Sequence, residues 1–191
     1  MRATGVKQKI DRMAIQLFAA RGVDGVSIAE IALAAGVSQG ALYRHYPSKD
    51  TLAEELFATA YRQAAADLAA IAAARHRFGD RIAAMVAHFC ALYDRDPGLF
   101  RFLLLSQHRF LPADGLHDPA PPAVIAAAVA DAVAAGEVAA VDPMTATAAI
   151  LGVVLQTAVF HIYGRIAGAL TPRAPALAKA ALAAVAALAG A

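Results

Sequence analysis

The chain has 191 residues, of which 60% are hydrophobic and only 17% charged, against about a quarter charged in an ordinary globular chain. More than a quarter of it is alanine, with 13 glycines and 9 prolines; this is too apolar for a disordered polypeptide and favours helix over strand, which excludes a β-sandwich or barrel and argues against a doubly wound α/β enzyme. The formal charge of +2 is unevenly placed: residues 1–50 hold seven Lys or Arg against four Asp or Glu, and residues 51–191 hold ten against eleven.

A mean hydropathy of +0.54 raises a membrane protein as an alternative. The longest uncharged run, Pro143 to Gly164, is long enough to span a bilayer, but Thr145, Thr147, Gln156, Thr157 and His161 interrupt it and alanine rather than leucine inflates it. Arg2, Lys7, Lys9, Asp11 and Arg12 lie on a helical pattern at the N-terminus, so no secretory signal is visible. The expectation is a cytoplasmic chain with no membrane partner. The single cysteine, Cys90, cannot form an internal disulfide and reads as a small buried hydrophobe.

In chain order, a first helix over about 5–21 places Val6, Ile10, Met13, Leu17 and Phe18 on one face and stops at Gly22. A second starts at Ser27, where Ser27-Ile28-Ala29-Glu30 has the form of a capping box, and ends near Gly36 as a left-handed cap. A third, short helix starts at Ser38 and finishes before Pro47. Ser48 caps a long fourth helix through Leu52, Leu56 and Tyr61 toward Ile71. Ile82, Met85, Val86, Phe89 and Tyr93 mark a fifth helix closed by Asp96-Pro97-Gly98, and a sixth covers about Leu99 to His108. Leu111 to Pro122 is proline-rich and irregular, and a seventh helix follows it to Gly136. Asp142-Pro143, a cap followed by proline in the first turn, launches an eighth toward Gly168, and a ninth, alanine-rich, follows Thr171-Pro172.

Residues 27–46 carry the most information. Two short helices joined by a tight turn at Gly36, with Ile28, Ile31, Ala32, Val37 and Leu42 placed to form a small core, have the layout of a helix-turn-helix, whose second helix enters the major groove. Ser38, Gly40 and Ala41 give that helix a small, close-approaching N-terminus, and Gln39 is the one side chain there able to pair with an adenine edge. Tyr43, His45 and Lys49 follow, with hydroxyl, imidazole and ammonium donors suited to phosphates; the helix starts at Ser27 and Ser48 add backbone amides. Taken singly, Tyr43 reads equally well as a core residue and Lys49 as a solvated lysine. Their shared spacing from the helix-turn-helix favours the DNA reading.

From Ala14 and Leu17-Phe18 through Gly22, Ser27, Ile31-Ala32, Ala35-Gly36-Val37-Ser38, Gly40 to Tyr46 and Ser48-Lys49-Asp50, the sequence resembles the N-terminal domain of the TetR family of transcriptional regulators. The resemblance covers about a quarter of the chain. It implies an all-α protein of about nine helices, with a DNA-binding domain over 1–47 and a ligand-binding and dimerisation domain over 48–191. It further implies a homodimer on a double-stranded DNA operator, with the last two helices of each subunit forming a four-helix interface. By this likeness Gln39, Gly40, Ala41 and Arg44 face bases, while Ser27, Ser38, Tyr43, His45 and Lys49 hold the phosphate backbone.

For the rest of the chain the expectations are coarser. Small and apolar residues along the eighth and ninth helices, Leu151, Leu155, Ala158, Leu177, Ala181, Val185 and Leu188, would let helices of two subunits approach closely. An effector pocket is expected among the fifth to eighth helices, lined by Met85, His88, Phe89, Tyr93, Arg101, Phe102, Leu105, Gln156 and Phe160, although each apolar member reads as readily as core. The apolar face of the fifth helix has no carboxylate, and the eighth has none after Asp142, so a neutral or anionic, mostly apolar effector is expected. No phosphate loop, metal-ligand spacing or nucleophile elbow is present, and the six histidines are scattered, so neither an enzyme nor a cofactor or metal is expected. The functional expectation is a ligand-released repressor on a palindromic operator; the alternative is a helical membrane-associated or scaffold protein without a DNA role.

Overall fold

The computed structural model of the chain describes residues 3–111 and 120–189. Nine α-helices lie among the described residues: α1 Ala3–Arg21, α2 Ile28–Ala35, α3 Gln39–Tyr43, α4 Lys49–Ala73, α5 Phe78–Arg95, α6 Pro97–Phe110, α7 Pro121–Ala134, α8 Pro143–Ile162 and α9 Ala174–Ala189. They form two compact units, one of residues 1–61 with 98–116, the other of 62–97 with 117–191. The long helix α4 therefore contributes its first half to one unit and its second half to the other, and α6 groups with the N-terminal helices.

In the first unit the buried residues include Ile10, Ala14 and Phe18, one stripe of α1, with Ile31 and Ala32 of α2, Leu42 of α3 and Leu52 and Phe57 of α4; α1 packs on α2, and α2 on α3. An aromatic cluster closes this core. Phe102 of α6 stacks on Phe18 with centroids 5.9 Å apart and meets Phe57 edge-on at 6.3 Å. Phe57 also lies 5.2 Å from Phe110 and 5.3 Å from Tyr61, so it is the shared member of three ring contacts. Gly22 ends α1 at φ +73°, a left-handed value that glycine adopts without a Cβ clash. Three residues on, a Cβ at position 25 would sit 2.5 Å from the Arg21 carbonyl oxygen, so Gly25 is required by close approach of backbone.

In the second unit, α8 packs on both α7 and α9, and α9 packs on α5. The core is Ile82, Met85, Val86 and Cys90 of α5, Ile125 and Val129 of α7, Ile150 and Val154 of α8, and Ala181 and Val185 of α9. Burial, with the Asp94 carboxylate nearby, pushes the Cys90 thiol up to about 11, which keeps it protonated and inert. Asp94 also accepts from the Leu170 and Thr171 amides at 2.9 and 2.7 Å and so fixes the 3-10 turn Thr171–Arg173 that leads into α9.

Helix α8 ends at Ile162, earlier than its apolar run suggests, because Gly164 takes φ +68° and its amide turns back to the His161 carbonyl. Helix α7 starts at Pro121, with both prolines in its first turn, where their missing N–H groups cost no helical bond. Most of the segment read as irregular, 112–119, lies outside the described residues. Pro143–Ile162 and Thr171–Ala189 are long and apolar enough to cross a membrane by length and composition alone. Asp142 caps α8 by accepting from the Thr145 amide at 2.7 Å, and the Thr147 and Thr157 hydroxyls donate to carbonyls one turn back, which satisfies these polar groups within the helix.

Because Phe57 is fully buried at the centre of the aromatic cluster, Phe57→Ala is expected to destabilise the protein by about 3–5 kcal/mol in urea denaturation, in line with large-to-small aromatic substitutions elsewhere.

Candidate nucleic-acid interface

The interface is built from the caps outward. The Ser27 hydroxyl accepts from the Glu30 amide at 3.2 Å and donates to the Glu30 carboxylate at 2.7 Å, while the Ser27 amide donates to the same carboxylate at 2.8 Å. This is the reciprocal box the sequence announces. Arg21 holds the other Glu30 oxygen at 2.7 Å. Gly36 ends α2 at φ +67° and turns the chain into α3, where Ser38 accepts from the Ala41 amide at 3.1 Å. Ser48 accepts from the Thr51 amide at 3.0 Å and so starts α4.

Helix α3 has five residues and is anchored by Leu42, which is fully buried. Just past it Tyr46, also fully buried, donates from its hydroxyl to Asp11 of α1 at 2.6 Å, and the Lys7 ammonium bonds both Asp11 and the Tyr46 hydroxyl. Burial and the Asp11 carboxylate push the Tyr46 hydroxyl up to about 12, so it stays a donor at every physiological pH. No signal in the sequence marks the Tyr46–Asp11 pair, because its members lie 35 residues apart.

With Leu42 inward, the opposite side of α3 faces out. Gln39, Gly40, Tyr43 and Arg44 are exposed, Ala41 and His45 half-buried. All four residues read as base-facing thus lie on or beside one short helix, and a Cβ at Gly40 would meet nothing within 4 Å, so its smallness leaves open space for an approaching surface. Beside α3 runs an open groove of about 540 Å³ whose lining includes Asp24, Ser27, Glu30, Tyr43 and Lys49. Tyr43, 51% exposed, and Lys49 offer it a hydroxyl and an ammonium, and the first-turn amides of α2 at Ile28 and Ala29 have no intrahelical partner. Ser27 is placed differently from a free phosphate donor: its hydroxyl proton is committed to Glu30, so what remains at that position is the helix start itself.

Asp24, which lines the groove with Lys49, and Asp50, next to Lys49 in sequence, share one arginine. Arg109, in the last turn of α6, donates to both oxygens of Asp24 at 2.8 and 2.9 Å and to Asp50 at 2.9 Å. The Lys49 ammonium lies 3.5 Å from the Asp24 carbonyl oxygen. The contact between Arg109 and Asp24 joins residues 85 apart, and sequence reasoning missed it entirely.

Residues 12–56 match the family model for bacterial regulatory proteins of the tetR family. A tetR-family regulator from Rhodococcus RHA1 superposes with a TM-score of 0.79 at 20% identity, covering 94% of this chain and 96% of that one. Over residues 12–56, which hold the helix-turn-helix, the chain is similar to the tetR family. The transcriptional regulator FadR from Bacillus subtilis, solved with stearoyl-CoA, is similar at a TM-score of 0.76 and 16% identity, covering 92% of this chain and 97% of that chain. At such identities the likeness to both structures is one of fold. The curated relative, the HTH-type transcriptional regulator AcrR of Shigella flexneri, is 42% identical over 55 residues, which is 29% of this chain and 26% of that protein. The match therefore spans about a quarter of the curated relative's length.

The residues read as pocket lining fall in both units. Arg101, Phe102 and Leu105 belong to the first, where Phe102 is core, stacked on Phe18, and Leu105 is 49% exposed. Met85, His88, Phe89, Tyr93, Gln156 and Phe160 belong to the second. There Met85, Phe89 and Tyr93 are buried, His88 lies 3.5 Å from Asp67, and Tyr93 shares a 2.8 Å hydrogen bond with His161, whose other ring nitrogen meets the Gly168 carbonyl at 2.7 Å. Gln156 and Phe160 face outward. Of the residues read as a subunit interface, Ala158, Ala181 and Val185 are closed in by the unit's own helices, since small side chains serve packing within a chain as well as between chains. Leu151, Leu155 and Leu177 are half-buried and Leu188 is 38% exposed; exposed apolar side chains that the sequence pattern did not single out for this surface are Met144, Phe160 and Tyr163.

The bonds from Ser27 and Arg21 hold the Glu30 carboxyl down to about 2. A depressed carboxyl supports the fold above its ordinary value of 4.5 and loses that support only as pH falls through about 2, so the α2 cap should persist in mild acid. A carboxyl-carbon NMR titration of Glu30 should give a midpoint near 2; a midpoint at the ordinary value means the box is open in solution.

Proposed function

We propose that the protein is a transcriptional repressor that binds a palindromic operator as a homodimer and releases it when a small, mostly apolar effector binds. The observation that carries the reading is the presentation of α3: a capped, five-residue helix anchored by buried Leu42, with Gln39, Gly40, Tyr43 and Arg44 facing solvent beside Lys49. In this reading Gln39, Gly40, Ala41 and Arg44 meet base edges, and Ser38, Tyr43, His45, Lys49 and the start of α2 at Ser27 meet phosphates.

The homodimer is supported by the apolar side chains left open on α8 and after it, Met144, Phe160 and Tyr163, together with Leu151 and Leu155 and with Leu177 and Leu188 of α9. A two-fold axis through that surface would bury it and set two recognition helices on successive major grooves. The effector reading is supported by the apolar interior of the second unit and by the Bacillus subtilis relative, whose ligand, stearoyl-CoA, joins an apolar chain to an anionic head. Release follows if the effector prefers a conformation in which the two recognition helices no longer match the operator spacing. The same reading places the protein in the cytoplasm, where its DNA is, and assigns the two long apolar helices to core and subunit contact rather than to a membrane.

The test is fluorescence anisotropy on labelled duplex DNA across a salt series. Tyr43→Phe with Lys49→Ala should weaken binding on every sequence and lower the log–log salt slope by about one per half-site, whereas Gln39→Ala should relax preference at one base position and leave the slope alone. An unchanged affinity and slope in the double variant would overturn the phosphate assignment.

A further inference from the structure

We infer that Arg109, on a helix outside the helix-turn-helix, is a positioning residue for DNA binding: by pairing with Asp24 and Asp50 it cancels the carboxylates beside Lys49 and leaves that ammonium free to hold a phosphate. The inference rests on the DNA-binding reading above.

The charges around the groove decide the point. Among its lining residues Asp24 and Glu30 are anionic and Lys49 is cationic, and Asp50 adjoins Lys49 in the first turn of α4. Arg21 balances Glu30 at 2.7 Å. Without Arg109, Lys49 would stand beside two unpaired carboxylates, and the local sum would be one negative charge on the surface that must receive a polyanion. With Arg109 the sum is zero. Asp24 and Asp50 are 83% and 70% exposed, so their field reaches the solvent side where a phosphate would sit.

The geometry lets a single side chain neutralise both carboxylates. The guanidinium reaches Asp24, in the turn between α1 and α2, with one nitrogen and Asp50, at the start of α4, with the other. One planar fork thereby covers both carboxylates at once, a use for which it is better suited than an ammonium. Stability alone does not account for it, since exposed ion pairs contribute little to folding. Arg109 itself is 37% exposed, and the bonds from Asp24 and Asp50 raise its pKa against the effect of partial burial, so it is charged at every relevant pH.

The experiment measures binding of the full chain to a labelled duplex of arbitrary sequence at low salt, with thermal melting of each variant as a check on folding. Arg109→Ala should bind about tenfold more weakly, the size expected for uncovering two carboxylates beside a phosphate-binding surface. Adding Asp24→Asn and Asp50→Asn to that variant should restore binding to within about twofold of the wild type, because the charges that Arg109 cancels are then gone. The Asp24→Asn/Asp50→Asn variant with Arg109 in place should bind more tightly than the wild type, and it reports on the same charge balance even if Arg109→Ala does not fold. Equal binding by Arg109→Ala and wild type, failure of the triple variant to recover, or no gain in the Asp24→Asn/Asp50→Asn variant overturns the inference while leaving the DNA reading intact. A wild-type chain that binds no duplex overturns both.

Discussion

A helix of five residues cannot hold itself together in water, because it closes too few hydrogen bonds to offset the cost of starting a helix. Helix α3 exists only because its surroundings over-determine it: the Ser38 cap at one end, Leu42 buried in the middle, the left-handed turn at Gly36 before it and the buried Tyr46 bonded to Asp11 after it. Everything the first unit does for function depends on that. The exposed side of α3 carries no large apolar anchor of its own apart from the aromatic face of Tyr43, so Gln39 and Arg44 are aimed by the core behind them rather than by contacts among themselves. The aromatic cluster of Phe18, Phe57, Phe102 and Phe110 in turn stiffens the α1 and α4 walls on which α3 rests.

The second unit solves a different problem. Its alanine-rich helices approach closely enough to bury Ala128, Ala132, Ala146, Ala158, Ala178 and Ala181 against one another, and the greasy composition is largely spent on that packing. What packing does not cover is a set of larger apolar side chains on and just after α8, with Leu188 of α9. Their exposure in a single chain is the physical ground for a second copy, and the hydroxyls of Thr147 and Thr157, bonded back to their own helix, keep polar demands within α8 low.

Local chemistry was legible in the sequence wherever its parts lie within one turn of each other. The capping box at Ser27 and Glu30, the Ser38 and Ser48 caps, the left-handed Gly22 and Gly36 and the Asp142-Pro143 start all have partners within four residues, and each occurs as the pattern implies. Long-range pairings were not legible. Arg109 with Asp24, Tyr46 with Asp11, and Asp94 with Leu170 and Thr171 join residues tens of positions apart, and nothing in a local pattern selects one carboxylate over another. The same blindness affected apolar residues. Phe102 and Ala158 fit a pocket wall or a subunit face by helical spacing, but spacing gives a direction around the helix and not which neighbour lies there; one proves to be aromatic core and the other interior packing.

The central claim is that two copies of α3 read DNA in symmetric register, and selection of bound duplexes from a random pool by the full chain tests it most directly. The account predicts enrichment of a palindrome whose half-sites lie about one helical turn, or a multiple of it, apart. A pool that is retained without enrichment, or an enriched site with no two-fold symmetry, would contradict it.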